Sequence, residues 1–547
     1  MKKDPWLAVA ILLGLFLFGL VLFPQLWLIR ASLLSPDGTE WTFANFARYL
    51  GASRYRSALV NSVLLATLTT ALALVVAVPL AFLHARYRLP GRDSVLTLAT
   101  LSTASPPFLG AYAWILLLGW NGLLSRGLRE VGVPWTSLVG FHGIVWVSLW
   151  GSAGLVFLFA HDAFAGIDPD LEEAAQSLGA TRAKAHLQIA LPLALPGLLT
   201  AAYMTMMAVL ADFGTPRLVG GPVSALPVLL YHEFLSESGA NPGVAASGSL
   251  IIVGLSTLAL VAQRLALAGR SYASRGARHA ERMPLPAWAK LPALLATLAF
   301  FTLTFTPHLV ILASSFATWR ADIPSLPWTL ANYQGLFERS LRPILTSYAL
   351  SGAATLIAVL VGTLLAYVTV RRAYAVLSPA LSSLALVPYL IPGTVLAIGM
   401  IVVFNRAPLR LTGSASILVL AYVIRKLPYA TKAAEAALHQ VPLDLEEAAL
   451  SVGASPGRAL ADVTAPLILR GLVTGGTLTF LMTLTELSAT LMLYAAATTT
   501  MSVVIYKAAL GVGGQFGVAA STAVAMMVSV YVPLYLVRRR FSAVAAA

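Results

Sequence analysis

The chain has 547 residues, of which 58% are hydrophobic and only 11% are charged, and its mean hydropathy is +0.82. Soluble domains carry about 25% charged residues, so this composition excludes a soluble globular domain, a disordered chain and a nucleic-acid-binding protein. The net charge is +14, and the absence of cysteine excludes disulfides and thiolate metal sites. We therefore expect an all-α polytopic membrane protein whose basic residues orient the helices.

The first apolar segment runs from Leu7 to about Ile29, after Met1-Lys2-Lys3-Asp4. A cleaved signal peptide would have an apolar core of about 7–15 residues and then a small-residue cleavage site. This segment is longer, and no such site follows it. We interpret it as a retained first transmembrane helix with a cytoplasmic N-terminus.

Windows of about 20 apolar residues, the length that crosses a bilayer core, predict twelve spans. The predicted spans are 7–29, 58–83, 95–119, 142–162, 196–217, 245–263, 291–314, 346–370, 379–404, 414–431, 470–493 and 517–537. The predicted cytoplasmic segments hold moderately more Lys and Arg residues than the predicted outside segments. The excess is clearest between Arg264 and Lys290 and at Arg538-Arg539-Arg540. Both termini are therefore expected in the cytoplasm.

An internal repeat divides the chain. LEEAAQSLGA at Leu171–Ala180 recurs 274 residues later as LEEAALSVGA at Leu445–Ala454, and WTFANF at Trp41–Phe46 recurs as WTLANY at Trp328–Tyr333. A repeat of six spans has parallel topology, and a pathway usually runs between such halves.

The repeat predicts three regions. A first six-helix half covers 1–268, a basic cytoplasmic linker covers 269–289, and a second six-helix half covers 290–547. The two halves are expected to be pseudo-symmetric.

Each half has a long cytoplasmic loop between its fourth and fifth spans, at about 163–195 and about 432–469. In the first loop Asp168 and Pro169 suit a helix start, Gly179 suits its end, and Thr181 suits the cap of a second helix. The second loop has the matching residues Pro442, Gly453 and Ser455-Pro456. Each loop is thus predicted to be a helix, a glycine turn and another helix.

The pattern Glu-Glu-Ala-Ala-x-Ser-x-Gly-Ala, followed about twelve residues later by a Leu/Ala-Pro pair, resembles the EAA loop of importer-type ABC transporter permeases. The resemblance implies a type I importer fold in which each loop is a coupling helix that docks in a groove of a separate ATPase. The residues that would carry this role are Glu172, Glu173, Ala174, Gly179, Glu446, Glu447, Ala448 and Gly453. Reversing the charge at Glu172 or Glu446 is accordingly expected to weaken ATPase association.

Two fused halves are typical of the permease subgroup that includes the ferric iron and thiamine permeases. Ala211–Thr215 and Glu486–Thr490 also resemble the iron-type branch, and they align Asp212 with Glu486. We expect these two acids in the outer half of the fifth and eleventh spans, facing the pathway and favouring a cation. The alternative is a structural role, with each acid bonded to a hydroxyl such as that of Thr215 or Thr490.

None of the seven lysines follows a glycine, so the chain lacks a P-loop and cannot hydrolyse ATP by that mechanism. The resemblance therefore implies two copies of an ABC ATPase inside, which use the ATP, and a soluble or lipid-anchored substrate-binding protein outside. No metal, cofactor or nucleic acid is expected on this chain itself.

The predicted function is that of the permease subunit of an importer in a bacterial inner membrane, with iron(III) as the substrate. Thiamine, a phosphonate or another small solute are alternatives with the same machinery. A gradient-driven twelve-helix carrier is a further alternative, with Asp212 and Glu486 as its ion sites, but such a carrier has no need of the paired loops. An intramembrane enzyme would need a metal or nucleophile cluster, which the sequence lacks.

Overall fold

A computed structural model describes residues 4–35, 38–235, 241–268, 283–320, 322–405 and 407–545. Most of the predicted linker, 269–282, lies outside these residues, as do Lys2 and Lys3. The described chain is almost entirely helical.

The helices of the first half are α1 (Pro5–Leu17), α2 (Phe23–Ser32), α3 (Ala44–Gly51), α4 (Ser53–Arg86), α5 (Arg92–Thr103), α6 (Pro107–Leu118), α7 (Leu123–Glu130), α8 (Phe141–Ala165), α9 (Asp170–Ser177), α10 (Arg182–Ala185), α11 (Leu191–Ala211), α12 (Gly214–Val219), α13 (Leu226–Leu235) and α14 (Pro242–Leu267). Those of the second half are α15 (Ala287–Phe316), α16 (Ala331–Gly335), α17 (Leu341–Tyr367), α18 (Leu377–Leu390), α19 (Gly393–Phe404), α20 (Ala415–His439), α21 (Asp444–Ser451), α22 (Pro456–Arg458), α23 (Ala465–Leu484), α24 (Ser488–Leu493), α25 (Met501–Ala509) and α26 (Phe516–Ala545).

Short irregular elements join these helices. The π-helical segments are Phe18–Leu22, His186–Ala190, Leu336–Ser340, Val368–Arg372 and Ala459–Thr464, and Ala496–Thr498 forms a 3₁₀ turn. Strand β1 (Tyr87–Arg88) pairs in parallel with β2 (Met283–Pro284), and β3 (Ala317–Arg320) pairs antiparallel with β4 (Ile323–Trp328).

Twelve spans were predicted, and the described residues contain ten helical runs that are long and apolar enough to cross a membrane. The bent pair α18–α19 makes an eleventh. The remaining predicted span, 414–431, is present as helix α20, but Arg425 and Lys426 lie in its middle and lower its hydropathy.

The third span of each half was predicted as one continuous helix, and this was wrong in both halves. In the first half α5 ends before Pro106-Pro107, where α6 begins. In the second half α18 and α19 meet at Ile391-Pro392 with a bend of 109°. Proline lacks the backbone N–H that a continuing helix needs and clashes with the preceding turn, so neither helix runs through.

The two halves share one packing pattern and are interleaved. Helix α4 packs on α8 and α11 in the first half, as α17 packs on α20 and α23 in the second. The first long helix of each half packs against the other half: α2 lies on α19, and α15 lies on α6 and α8. The hydrophobic core is therefore built jointly by the two halves.

Two contacts pair predicted cytoplasmic segments with one another. Tyr87, just after α4, pairs with Met283, just before α15. The Tyr374 hydroxyl donates to Asp4 Oδ2 at 2.6 Å, which joins the N-terminus to the loop after α17. Burial and then this hydrogen bond raise the pKa of Tyr374 to about 12, so the phenol stays a neutral donor at physiological pH.

This arrangement predicts the sidedness of two loops. A reporter fused after residue 275 should report the cytoplasm, because the basic residues of this linker place it inside and Met283 pairs with Tyr87 of another predicted cytoplasmic segment. A reporter fused near residue 235 should report the outside. Paired alkaline phosphatase and green fluorescent protein fusions measure both sites. An external signal from the fusion at residue 275 would contradict the topology.

Candidate functional sites

The fifth span of each half is interrupted at the predicted acid. Helix α11 ends at Ala211, and α12 begins at Gly214, so Asp212 lies in a non-helical break. Glu486 lies in the corresponding break between α23 and α24. The sequence placed both acids inside continuous helices, and that was wrong.

The local cause in the first half is the Asp212 side chain. Its Oδ1 accepts hydrogen bonds from the backbone N–H groups of Gly214 at 2.9 Å and Thr215 at 3.3 Å. A short acidic side chain that caps backbone donors in this way offers the chain an alternative to continued helix. The predicted alternative partner was the Thr215 hydroxyl, but the hydrogen bonds to Oδ1 come from the backbone N–H groups of Gly214 and Thr215.

The breaks of the third and fifth spans in both halves line one cavity of about 260 Å³. Its lining includes Pro107, Phe108, Met204, Met207, Asp212, Gly214, Tyr389, Pro392, Arg425, Lys426, Tyr429, Met482 and Glu486. The structure thus brings Asp212 and Glu486 together, on opposite halves. Interrupted helices at matching positions of two repeats are a general mark of a transport site.

Glu486 is buried and held by two cations of helix α20. Its Oε1 lies 3.0 Å from Arg425 Nη1, and its Oε2 lies 3.1 Å from Lys426 Nζ. The backbone N–H of Ala489 also donates to Oε1 at 3.2 Å. The Thr490 hydroxyl, the partner in the alternative interpretation, donates instead to the backbone carbonyl of Glu486 at 2.9 Å.

Sequence reasoning did not identify Arg425 and Lys426 as site residues. The signal was available, since two adjacent cations in the middle of a predicted span are costly and mark function or a buried partner. Because they neutralise Glu486, the cavity does not present two free acids. The predicted preference for a cation, which rested on that pair of acids, loses its support.

The two halves differ at this point. Helices α8 and α20 both have 25 residues and lie 274 positions apart, so Gly151 and Ser152 occupy the places of Arg425 and Lys426. Among the described side chains, no Lys, Arg or His lies within ion-pair distance of Asp212. The site is therefore electrostatically asymmetric although its backbone is pseudo-symmetric.

The two loops have the predicted helix, glycine turn and helix. Gly179 and Gly453 have φ angles of 92° and 94°, in the left-handed region that favours glycine. In the first loop Ala180 N–H donates to the Ala175 carbonyl at 3.0 Å, and Gly179 N–H donates to the Gln176 carbonyl at 2.9 Å. This pair of bonds is a Schellman motif, which satisfies the last carbonyls of α9.

The start of each loop helix lies slightly later than predicted. Helix α9 begins at Asp170, and Asp168 Oδ1 accepts from the backbone N–H of Asp170 at 3.1 Å. Helix α21 begins at Asp444 instead of Pro442. The Thr181 hydroxyl caps α10 as predicted, by accepting from Lys184 N–H at 3.3 Å.

Glu172 and Glu446 were expected on a docking surface, but both are buried, with 3% and 4% exposure. Glu172 Oε2 lies 2.8 Å from Arg86 Nη2 at the end of α4, and its Oε1 lies 3.2 Å from His186 Nδ1. Their burial removes these two carboxylates from direct contact with a partner. They attach the loop helix to the membrane helices instead.

The second loop repeats this attachment with different partners. Glu446 Oε1 accepts from the Tyr367 hydroxyl and lies 3.4 Å from Arg372 Nη2, and Thr464 donates to Oε2 at 3.3 Å. In both halves the loop helix is thus joined to the C-terminal end of the second span and to the helix that leads into the fifth.

The outward side of each loop combines exposed acidic, small and apolar residues. Glu173, Ala174, Glu447 and Ala448 are exposed. Leu178 is 90% exposed and Val452, its counterpart in the second half, is 87% exposed. Sequence reasoning, which selected the glutamates, alanines and glycines of the repeat, did not include these two apolar residues.

Known proteins are similar to both halves of the chain. The profile of a family described as "Binding-protein-dependent transport system inner membrane component" matches residues 73–268 and again 358–544. The ferric transport system permease protein FbpB of Actinobacillus pleuropneumoniae is 26% identical over 536 residues, covering 95% of this chain and 76% of that protein. A putative ferric transport system permease protein FbpB 1 of Haemophilus influenzae is 26% identical over 515 residues, covering 91% and 79%.

More distant similarities cover about half of the chain or less. A putative 2-aminoethylphosphonate transport system permease protein PhnV of Salmonella typhimurium is 30% identical over 215 residues, which is 39% of this chain and 80% of that protein. A chain of a bacterial alginate ABC transporter, solved in complex with an alginate-bound periplasmic protein, is 20% identical with a TM-score of 0.42, covering 49% of this chain and 95% of that chain.

The ion cluster predicts a difference between the two acids of the cavity. Glu486→Gln should lower the melting temperature of the detergent-purified protein, because breaking a buried ion pair costs about 3–5 kcal/mol. Asp212→Asn should melt close to wild type, since asparagine keeps an oxygen acceptor for Gly214 N–H. Adding Lys426→Met to Glu486→Gln should recover part of the loss. Equal melting temperatures for the two single variants would contradict the assigned ion cluster.

Proposed function

This chain belongs to the family of binding-protein-dependent transport system inner membrane components, and from that premise we propose that it imports iron(III) through the cavity between its two halves. The family profile matches twice, so the chain is an ABC importer permease with two fused halves. It is a multi-pass protein of the inner membrane. The observation that carries the proposal is the single cavity at which the broken helices of both halves meet.

We further propose that two copies of a separate ATPase dock on the two loops and use ATP to drive transport. Each loop presents an exposed patch, with Leu178 in one half and Val452 in the other, and the two loops are equivalent in the repeat. Two equivalent docking patches fit two copies of one partner. Both termini would then be cytoplasmic, and a soluble or lipid-anchored substrate-binding protein would deliver its cargo on the opposite face.

A continuous set of contacts supports coupling between the loops and the cavity. Glu172 joins α9 to the end of α4 through Arg86, and α4 packs on α11, which ends at Ala211 next to Asp212. In the second half Glu446 joins α21 to the end of α17, which packs on α23 beside Glu486. A displacement of either loop would therefore reach the corresponding break through packed helices.

Iron(III) is proposed as the substrate because the two ferric permease relatives match over nearly the whole chain. The phosphonate permease relative matches 39% of it. Thiamine, a phosphonate or another small solute would use the same machinery. A gradient-driven carrier is disfavoured, since Arg425 and Lys426 already neutralise one of the two acids that it would use.

The loop turns provide a test of coupling. Gly179→Val or Gly453→Val should cost about 1–2 kcal/mol or more in the turn, because a β-branched residue is strained at this φ. A Cβ added at either glycine would have no atom within 4 Å, so the main effect falls on the backbone conformation. We expect reduced co-purification of the ATPase and reduced transport at normal membrane levels.

Gly457→Ala is the matched control for the glycine variants. It lies in α22 of the second loop, has open space around it, and does not have a positive φ. Unchanged ATPase association in both valine variants would mean that the loops are not couplers.

The substrate is tested with the complete transporter in proteoliposomes, assembled from this chain, its ATPase and its binding protein. We expect ATP-dependent accumulation of ⁵⁵Fe that excess thiamine and phosphonate do not reduce. ATP-dependent uptake of thiamine or a phosphonate without iron uptake would overturn the iron assignment. Uptake driven by an ion gradient without ATP would overturn the importer mechanism.

A further inference from the structure

Four charged side chains line the cavity between the halves, and two of them are more exposed than the other two. The side chains of Glu486 and Lys426 are only 5% and 10% exposed and compensate each other. The Arg425 side chain is 18% exposed, and Asp212 is half-buried. A molecule in the cavity would therefore meet the charges of Arg425 and Asp212 most directly.

The wall formed by the second half carries an excess positive charge. Two cations, Arg425 and Lys426, face the single carboxylate of Glu486. The ion pair with Glu486 uses Nη1 of Arg425, and a guanidinium has five donors in a planar fork. The remaining donors suit a carboxylate or another oxyanion, which guanidinium binds through paired hydrogen bonds.

The position of Arg425 depends on the helix break beside it. A Cβ at Gly393, the first residue of α19, would lie 1.6 Å from Arg425 Nη1. The guanidinium thus occupies space left by a glycine next to Pro392, at the bend between α18 and α19. The break between α18 and α19 lines the cavity, and its glycine also leaves the space in which the Arg425 guanidinium reaches the cavity.

The wall formed by the first half carries the opposite charge. Asp212 Oδ1 is engaged by backbone N–H groups, and no backbone donor engages its Oδ2. Gly151 and Ser152 occupy the positions that hold the two cations in the second half. At these positions α8 therefore has no basic side chain that could pair with Asp212. The cavity is therefore bipolar, with a carboxylate on one half and a guanidinium on the other.

We propose, on the premise of the importer function above, that this cavity binds a bipolar cargo. Its cationic centre faces Asp212, and its anionic oxygen group faces Arg425. With iron as the metal, the cargo is a ferric ion that still carries a carboxylate or oxyanion ligand. A bare trivalent cation is repelled by the excess positive charge at Arg425 and Lys426. In a complex, the metal can pair with Asp212 while its anionic ligand pairs with Arg425.

The first test follows both parts of the cargo in proteoliposomes that contain the complete transporter. Ferric ion is supplied in bicarbonate-free buffer with either [¹⁴C]citrate or [³³P]phosphate as the only multivalent anion on the side of the binding protein, and ATP is enclosed on the opposite side. We expect ⁵⁵Fe and the anion label to accumulate together, in a constant ratio and only with ATP. Accumulation of ⁵⁵Fe with neither label would overturn the proposal.

The second test removes each charge while keeping the local hydrogen bonds. Arg425→Gln leaves Glu486 paired with Lys426, and Asp212→Asn retains an acceptor for Gly214 N–H, so both variants should fold. We expect each to lower uptake at least tenfold at matched membrane levels, and Arg425→Lys and Asp212→Glu to restore part of it. Uptake within twofold of wild type in either neutral variant would overturn the proposal.

Lys432→Gln is the matched control for loss of a cation from α20. Its ammonium lies on the same helix, is 54% exposed and pairs with Glu435 at 2.6 Å outside the cavity. We expect its uptake to stay within twofold of wild type. A tenfold loss in this control would overturn the assignment of the effect to the cavity.

A third probe separates failure of this inference from failure of the iron assignment. 2-Aminoethylphosphonate carries an ammonium and a phosphonate, so it is bipolar without a metal. If it is transported and iron is not, and if its uptake needs both Asp212 and Arg425, the iron assignment fails and the bipolar cavity stands. If the transported solute depends on only one of the two residues, the bipolar cavity fails.

Discussion

Within a bilayer an unpaired backbone polar group has no water to bond, so a broken helix persists only where protein or a water-filled cavity surrounds the break. The third and fifth spans of both halves are broken, and residues from all four breaks line the same cavity. The broken helices therefore depend on the cavity between the halves, and the cavity depends on the contact between the halves. The interleaved packing of α2 on α19 and of α15 on α6 brings each half against the helix that follows the third-span break of the other.

The same constraint explains why charge appears deep in the molecule only in compensated form. Glu486 is buried against Arg425, Lys426 and a backbone N–H, and Asp212 is held by two backbone N–H groups. In the two loops, Glu172 and Glu446 are likewise buried against basic and hydroxyl partners. The buried acids thus fix the geometry of the loops and of the cavity, while exposed residues such as Leu178 remain for partners.

Much of the architecture follows from sequence alone, because a repeat and a run of apolar residues are local signals. The duplicated LEEAA motif revealed the two halves, and the glycine turns at Gly179 and Gly453 were predicted correctly. The helix breaks were missed although Pro106-Pro107 and Pro392 were visible, since hydropathy windows average over them. The burial of Glu172 could not be read from its own loop, because its partner Arg86 is distant in sequence and no local periodicity indicates which carboxylate turns inward.

The departure from symmetry at α8 and α20 shows what a fused chain permits. In a homodimer with a two-fold axis, the same residue must stand on both walls of a central cavity, so a cation on one wall implies a cation on the other. Here Gly151 and Ser152 occupy the places that Arg425 and Lys426 occupy in the second half. Fusion lets one wall present a carboxylate and the other a guanidinium while the paired breaks and loops keep their common geometry. A cargo with two unlike ends can then be held in one orientation between the two walls of the cavity.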